Sequence, residues 1–251
     1  MKKSMASSAE KKLHGKVALI TGASRGIGRT VAAAYAVAGA EVFVCARDRA
    51  KLDEVVAAIR AGGGVIAGAA GDVGDPVDAK RLVDRALAQF GRIDVLVNNA
   101  SLLGPRVTIA QYPFDSWQEV LRVNLSGPFL ITQAVLPTMA SRRSGSIINV
   151  TSGVGRTGKA RWGAYAISKA GLESFTQVLA DEVKESGVRV NSVNPAATRT
   201  AMRGEAYPVE DPLTLPTPEE ITPIFLYLAS DASTAVTGQS LDARDWMGRE
   251  V

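Results

Sequence analysis

The sequence predicts an α/β protein of one domain, a doubly wound parallel sheet of seven strands with helices on both faces. Short apolar, β-branched runs alternate with longer amphipathic stretches along the whole chain. The runs are apolar at nearly every position, as in Val17-Ala18-Leu19-Ile20 and Val95-Leu96-Val97, which suits strands covered on both sides. No proline- or serine-rich linker and no repeat of fixed period divides the 251 residues, 46% of them hydrophobic, so one core suffices.

In chain order, strands are expected at 16–21, 41–46, 64–69, 93–98, 146–152, 188–194 and 240–242. Helical patterns fill 26–38, 49–61, 76–90, 114–141, 160–186 and 217–230. The one long irregular stretch, 196–216, carries Pro208, Pro212 and Pro216 and reads as a lid or binding segment. Residues 1–14, with Lys2, Lys3, Lys11 and Lys12 and no apolar centre, read as a disordered, solvated N-terminal tail ahead of a domain spanning 15–251. No apolar run approaches the roughly 20 residues that a membrane helix needs. A soluble, cytoplasmic protein is expected.

Composition narrows the chemistry. Cys45 is the only cysteine and lies in the apolar run Val42-Phe43-Val44-Cys45, which excludes an internal disulfide framework and a thiolate metal cluster. His14, the only histidine, lies in the expected tail, so histidine triads, zinc-protease motifs and two-histidine metal sites are excluded together. No metal is expected. The net charge of +4 is mildly basic and its residues are dispersed, without the aromatic-and-basic stripe of a nucleic-acid surface. What chemistry remains must run on Tyr, Lys, Ser, Asn, carboxylates or a bound cofactor.

Thr21-Gly22-Ala23-Ser24-Arg25-Gly26-Ile27-Gly28 follows the first strand and opens the first helix. Glycines there let the backbone turn sharply and approach a ligand, while the helix start offers free N–H groups to a pyrophosphate. The spacing is Gly-x-x-x-Gly-x-Gly rather than the usual Gly-x-Gly-x-x-Gly, and its rival reading is a ligand-free turn. After the second strand comes Ala46-Arg47-Asp48. An acid ending that strand suits the free ribose hydroxyl of NAD, and an arginine suits a 2′-phosphate. With Arg47 there, Arg25 in the loop as a second cation and Asp48 placed to cap the next helix, NADP(H) is expected ahead of NAD. Gly153-Val154-Gly155-Arg156-Thr157-Gly158-Lys159-Ala160 nearly matches a P-loop, but Ala160 stands where a hydroxyl must hold Mg²⁺.

Tyr165 and Lys169 stand four residues apart on one face of a predicted helix. At that spacing the ammonium favours the phenolate, so Tyr165 is expected to have a lowered pKa and to exchange a proton near neutral pH. Ser152, ending the run Ser146 to Thr151, could set a hydroxyl beside the phenol. The bland rivals are a strand-end hydroxyl, a solvated helix lysine and, for Asn124, a mid-helix amide bonding its own backbone.

With the glycine loop, Asn98-Asn99-Ala100, Asn124, Ser152 and Tyr165-x-x-x-Lys169 in this order, the chain resembles the classical short-chain dehydrogenases/reductases over about residues 16–242. The resemblance implies a Rossmann fold and an enzyme. It makes Tyr165 the general acid of carbonyl reduction, Lys169 the residue that lowers its pKa and bonds the nicotinamide ribose, and Ser152 the hydroxyl that polarises the carbonyl. By the same resemblance Asn124 holds a water linking Lys169 to solvent. Asp72 and Val73 contact adenine, Asn98 steadies the strand beside the adenosine ribose with Ala100 following it, and Thr198, after Asn194-Pro195, is a ligand of the carboxamide and pyrophosphate. Three positions depart from the family pattern: Ser101 and Ala196 stand where glycine is usual, and Asp242-Ala243-Arg244 replaces an acidic-Gly-Gly ending.

The expected activity is NADP(H)-dependent reduction of a small-molecule carbonyl to an alcohol. Widespread 3-oxoacyl-[acyl-carrier-protein] reductases in the family bring forward a carrier-linked 3-oxoacyl thioester, with Arg142-Arg143 as dock for an acidic carrier. The alternatives are an NAD(P)-dependent dehydrogenase of small alcohols or sugars and, from another class, a dinucleotide-binding sensor without catalysis. An enoyl reductase is disfavoured by the short Tyr-to-Lys spacing. The resemblance also implies a homotetramer or homodimer built on the two long helices.

Overall fold

A computed structural model describes residues 12–249. It contains one parallel sheet of β1 (Val17–Thr21), β2 (Glu41–Ala46), β3 (Ile66–Ala70), β4 (Val95–Asn98), β5 (Gly145–Val150), β6 (Val188–Asn194) and β7 (Ser240–Asp242), in the order β3-β2-β1-β4-β5-β6-β7. Every neighbouring pair is parallel. The expected seven-stranded, doubly wound sheet is therefore present as a single domain. The order in which strands are added reverses between β1 and β4, and a crevice opens beyond the carboxyl ends of those strands, where such folds bind ligands.

Helices cover both faces. α1 (Gly26–Val37), α2 (Arg49–Ala61) and α9 (Pro223–Ala229) belong to one face, where Ile20, Tyr35, Val44 and Phe225 are fully buried. α3 (Pro76–Phe90), α5 (Gly127–Ser141) and α7 (Gly163–Glu182) cover the other, over Leu19, Leu96, Ile131 and Ile147. Local chemistry sets the helix ends. Asp48 accepts from the Lys51 N–H at 3.1 Å and starts α2. Asp75 caps α3 ahead of Pro76, and Gly91 ends that helix at φ +77°.

Five expectations need correction, the first being the helix at 217–230, which is confined to α9. Residues 12–14 do not belong to a disordered tail. Residues 1–11 lie outside the described residues, but Leu13 is wholly buried and its N–H donates to the Ala38 carbonyl at 3.0 Å. One apolar side chain in a polar segment is enough to close the end of the β1–α1 layer.

The predicted helix 114–141 is two: α4 (Phe114–Leu121) and α5, joined by a π turn, Arg122–Ser126. Pro128 has no N–H to give to the Asn124 carbonyl four residues back, so the regular ladder cannot run through.

The predicted helix 160–186 starts only at Gly163, because Arg161 sits in the left-handed region at φ +65°. The stretch 196–216 is not wholly irregular, since it contains the short helix α8 (Ala201–Ala206), capped by Thr200. Of the described residues, no helix is long and apolar enough to cross a membrane.

Candidate active site

The crevice at the strand ends encloses about 490 Å³. Its floor at one end is the start of α1. Arg25 occupies the N-cap position without a side-chain hydrogen bond to the helix, so the first-turn N–H groups are left to face the crevice. Gly26 holds φ +56° there, and an added Cβ would point toward Thr200, so the turn is both left-handed and close to the opposite wall. Ser24, Arg25 and Ile27 line this end with it.

Not every residue of the glycine motif reaches the crevice. Thr21 is a clamp: its hydroxyl accepts from the Asn99 and Ala100 N–H groups at 3.0 and 3.1 Å and donates to Val97 O at 3.3 Å. Asn99 completes the clamp by donating from Nδ2 to the Thr21 and Gly22 carbonyls, at 2.9 and 3.1 Å. Gly22, at φ +67°, lines the crevice, but an added Cβ would come within 2.6 Å of the Ala100 Cα. Gly28 packs against the Asn99 amide and does not line the crevice. Thr21 and Gly28 thus shape the loop and leave ligand contact to their neighbours.

Asn98 is also a core residue. Its amide donates to Thr132 Oγ1 (3.1 Å) and Asn149 Oδ1 (2.9 Å), tying β4 to α5 and β5 beneath the site. It does not line the crevice.

At the far end of β2, Arg47 stands at the wall, 3.5 Å from Glu119. Asp48 is committed twice, to the α2 cap and to Lys51 Nζ at 3.1 Å. The Lys51 N–H and side-chain contacts hold its carboxyl below the ordinary range. Asp72 and Val73 line the next stretch. Burial raises the Asp72 carboxyl, but the Arg122 bond at 2.7 Å and the Gly74 N–H outweigh it and hold the group ionised.

The other end of the crevice holds the polar trio. Ser152 follows β5, and Tyr165 and Lys169 follow one another along α7. Tyr165 is 8% exposed and Lys169 2%. Burial pushes Tyr165 up to about 12, with the Ser152 hydroxyl beside it pulling the other way. Burial likewise pushes Lys169 down to about 8. Its Nζ donates to the Val150 carbonyl at 2.8 Å and lies 5.6 Å from the centre of the Tyr165 ring. The expected direction for Tyr165 is therefore corrected. Withdrawal from water disfavours both charged forms, and in the free protein it exceeds the pull of the ammonium on the phenol.

Asn124 does not line the crevice. Its Oδ1 accepts from the Leu102 N–H at 2.7 Å, and its Nδ2 donates to Leu102 O (2.8 Å) and Ser168 Oγ (3.1 Å). The side chain is spent on holding the loop after β4 against α7, and only the carbonyl facing Pro128 is left for a water.

Pro195 and Thr198 line the crevice from β6, with Thr198 donating to Pro195 O at 2.8 Å. Between them, Ala196 lies at φ +56°, which explains why glycine would be natural there. Ser101, the other glycine substitution, is buried with its hydroxyl unpartnered. Arg244, in the altered C-terminal ending, donates to the Ala197 carbonyl at 3.0 Å and so braces this same loop.

Sequence reasoning missed the substrate-side wall. Trp162 packs on Tyr165 with ring centres 5.4 Å apart, and Leu102, Leu103, Met202 and Ala206 complete an apolar rim. Arg106 lies between Trp162 (4.5 Å) and Tyr207 (4.7 Å) and donates to the Ala206 carbonyl, fastening α8 over the trio. Trp162 precedes Tyr165 by one turn, a signal that was there to use. Nothing local marks Arg106.

The P-loop-like segment, set aside for want of a hydroxyl at Ala160, forms the short helix α6 (Gly153–Arg156) and packs on α7 rather than opening around a phosphate. Arg142 donates to Ile93 O (2.6 Å) and to the buried Asp94 carboxylate (3.2 Å) just before β5, at the edge of the sheet opposite the crevice. Arg142 is thus held by the core, and the pair lies at the end of the sheet away from the crevice.

The residues present fit a dinucleotide. An uncapped helix start answers a pyrophosphate, cations stand beyond β2, and buried hydroxyls of Ser101 and Thr151 in the same crevice lack partners. The arrangement defines an oxidoreductase site without histidine. The chain belongs to the short chain dehydrogenase family, whose model matches residues 16–211.

Among its relatives, the uncharacterized oxidoreductase YciK of Escherichia coli (strain K12) is 40% identical over 237 residues, covering 92% of this chain and 93% of that protein. A 3-oxoacyl-[acyl-carrier-protein] reductase of Synechocystis is 38% identical, over 92% and 96%. The crystal structure of a short chain dehydrogenase from Escherichia coli CFT073, complexed with NADPH, superposes with a TM-score of 0.89 at 40% identity, covering 94% of this chain and 99% of that one.

A left-handed alanine costs roughly 1 kcal/mol or more relative to glycine, partly offset by the freer unfolded glycine chain. Ala196→Gly is accordingly expected to stabilise the fold by about 0.5–1 kcal/mol in urea unfolding. An unchanged or lowered midpoint would show that the Ala196 conformation carries no strain.

Proposed function

We propose that this chain reduces the carbonyl of a small molecule to an alcohol with NADPH, and that Tyr165 supplies the proton. The observation that carries the reading is the meeting, in one crevice, of an uncapped helix start with Ser152, Tyr165 and Lys169. Reduction needs two things from the protein: a proton, and groups that hold the carbonyl while the bond is remade. The dinucleotide, when bound, supplies the hydride.

Tyr165 is protonated throughout the neutral range and gives its proton to the carbonyl oxygen. Ser152, on the same crevice wall, orients that oxygen toward the phenol and stabilises the charge that develops there. Lys169 is mostly charged at pH 7 and stabilises the phenolate that remains. In the same reading it bonds the nicotinamide ribose, and the Asn124 carbonyl holds the water through which the proton is replaced. Ser24, Gly26 and Ile27 offer the pyrophosphate its donors, Asp72 and Val73 border the adenine, and Thr198 with Pro195 borders the carboxamide.

Preference for NADPH follows from chemistry at the end of β2. Arg47 offers a guanidinium to a 2′-phosphate, with Arg25 across the crevice, while the Asp48 carboxylate is already taken by its cap. The relative that carries NADPH in its crystal structure supports this. A 3-oxoacyl thioester is the substrate class we favour, on the 38% identical acyl-carrier-protein reductase and on the apolar rim of Leu102, Leu103 and Met202, which suits an acyl chain. We place the protein in the cytoplasm. We also infer a homotetramer, since Phe129, Ile167 and Val178 lie exposed on α5 and α7.

Tyr165→Phe is expected to bind NADPH as the wild type does, by fluorescence titration, and to lose carbonyl reduction by 10²-fold or more. Wild-type turnover in that variant would refute the mechanism. Arg47→Ala is expected to weaken NADPH by roughly 10-fold or more and leave NADH nearly unchanged, as loss of one charge-assisted contact demands. Equal loss for both cofactors would remove Arg47 from the 2′-phosphate. Light scattering at micromolar protein should give the mass of four chains, and a single-chain mass would contradict the assembly.

A further inference from the structure

Lys169 has a second neighbour on its helix face. Glu173 lies one turn beyond it, so positions 165, 169 and 173 form one line along α7, with Cβ atoms of successive members about 5–6 Å apart. The Glu173 side chain is only 12% exposed. Its Oε2 accepts from Ser192 Oγ on β6 at 2.5 Å and from Ser240 Oγ on β7 at 2.7 Å. Its Oε1 is buried without a hydrogen-bond partner. Arg156 forms an ion pair with Oε1 at 3.5 Å, while its hydrogen bonds go to Ser240 Oγ (3.1 Å) and Asp242 (2.8 Å), so it is shared between the two carboxylates. A buried carboxylate oxygen left in that state is costly unless a charge nearby compensates it.

The packing leaves few candidates for that charge. α6 presses on Lys169 so closely that a Cβ on Gly155 would sit 2.8 Å from the Lys169 Cβ. The charged and titratable groups facing Lys169 are Tyr165 and Glu173 on α7 and Arg156 on α6, with Asp242 at the end of β7 answering Arg156. β5 contributes only the Val150 carbonyl, and the π turn the neutral Asn124, through Ser168.

We propose that Glu173 is the positioning residue that keeps Lys169 charged, an anchored carboxylate on β6 and β7 that supplies the counter-charge for the site. It rests on the reading of Tyr165 and Lys169 as the proton-donating pair. Burial drives Lys169 toward its neutral form and the Glu173 charge opposes this. Without Glu173 the same burial would act alone. An opposite charge within about 4–6 Å is worth roughly one to three pKa units.

The test reads Lys169 itself. Its side-chain CεH₂ signal is titrated by NMR in the full-length, cofactor-free protein and identified by its absence from Lys169→Arg. Glu173→Gln keeps the shape and an acceptor for both serines, and is expected to lower the Lys169 pKa by about one unit or more, a tenfold change in its acidity. Glu173→Asp should restore most of the shift, and Arg156→Gln, which removes the competing cation, should move the pKa upward. An unaltered Lys169 titration in Glu173→Gln overturns the proposal whatever the activity does. Should that variant fail to fold, an Arg156→Gln protein whose Lys169 pKa does not rise overturns it equally. The alkaline limb of kcat/KM should fall with the Lys169 pKa. A moved pKa with an unmoved limb would uphold Glu173 and remove Lys169 from the proton-donating reading.

Discussion

Two ionisable side chains one helical turn apart are kept out of water at the end of the sheet, and the site is organised around that withdrawal. Burial holds Tyr165 as a phenol and brings Lys169 to about 8, so at neutral pH both keep their protons and Lys169 is the first to lose one as pH rises. A buried ammonium needs acceptors and a counter-charge. Val150 supplies an acceptor through β5, and Glu173 supplies the charge through serines on β6 and β7. The proton chemistry thus depends on strands whose side chains never touch a substrate.

The same economy governs the cofactor end. The clamp of Thr21 and Asn99 joins the glycine loop to the end of β4, so the turn that offers N–H groups to a pyrophosphate is fixed by contacts made behind it. Asn124 does similar work from the π turn, fastening Leu102 on one side and Ser168, next to Lys169, on the other. Residues that family resemblance places at the ligand are divided by the structure into those that face the crevice and those that brace it. That division separates variants expected to alter binding from variants expected to alter folding.

The order of elements was legible because strands covered on both faces must be apolar nearly throughout, and because Asp48 and Asp75 mark helix starts locally. Motifs whose parts lie within a few residues, the glycine loop and Tyr165-x-x-x-Lys169, could be placed for the same reason. What depended on distant packing was not legible. The depth at which Tyr165 is buried decides the direction of its pKa, and no local spacing carries that information. Arg106 meets Trp162 and Tyr207 across 56 and 101 positions of sequence, within an otherwise ordinary loop. Leu13 was hidden by its charged neighbours, and the break at Arg122–Ser126 was written in Pro128 but masked by the strong helical pattern around it.

The central claim is that the charge on Lys169 limits proton delivery while Tyr165 remains protonated. The pH dependence of kcat/KM for carbonyl reduction reports the free enzyme's groups and tests it most directly. Lys169 loses its proton as pH rises through about 8, so the rate constant should be level below that point and fall about tenfold per unit above it. A profile that stays flat to pH 10, or that rises with pH, would contradict the account.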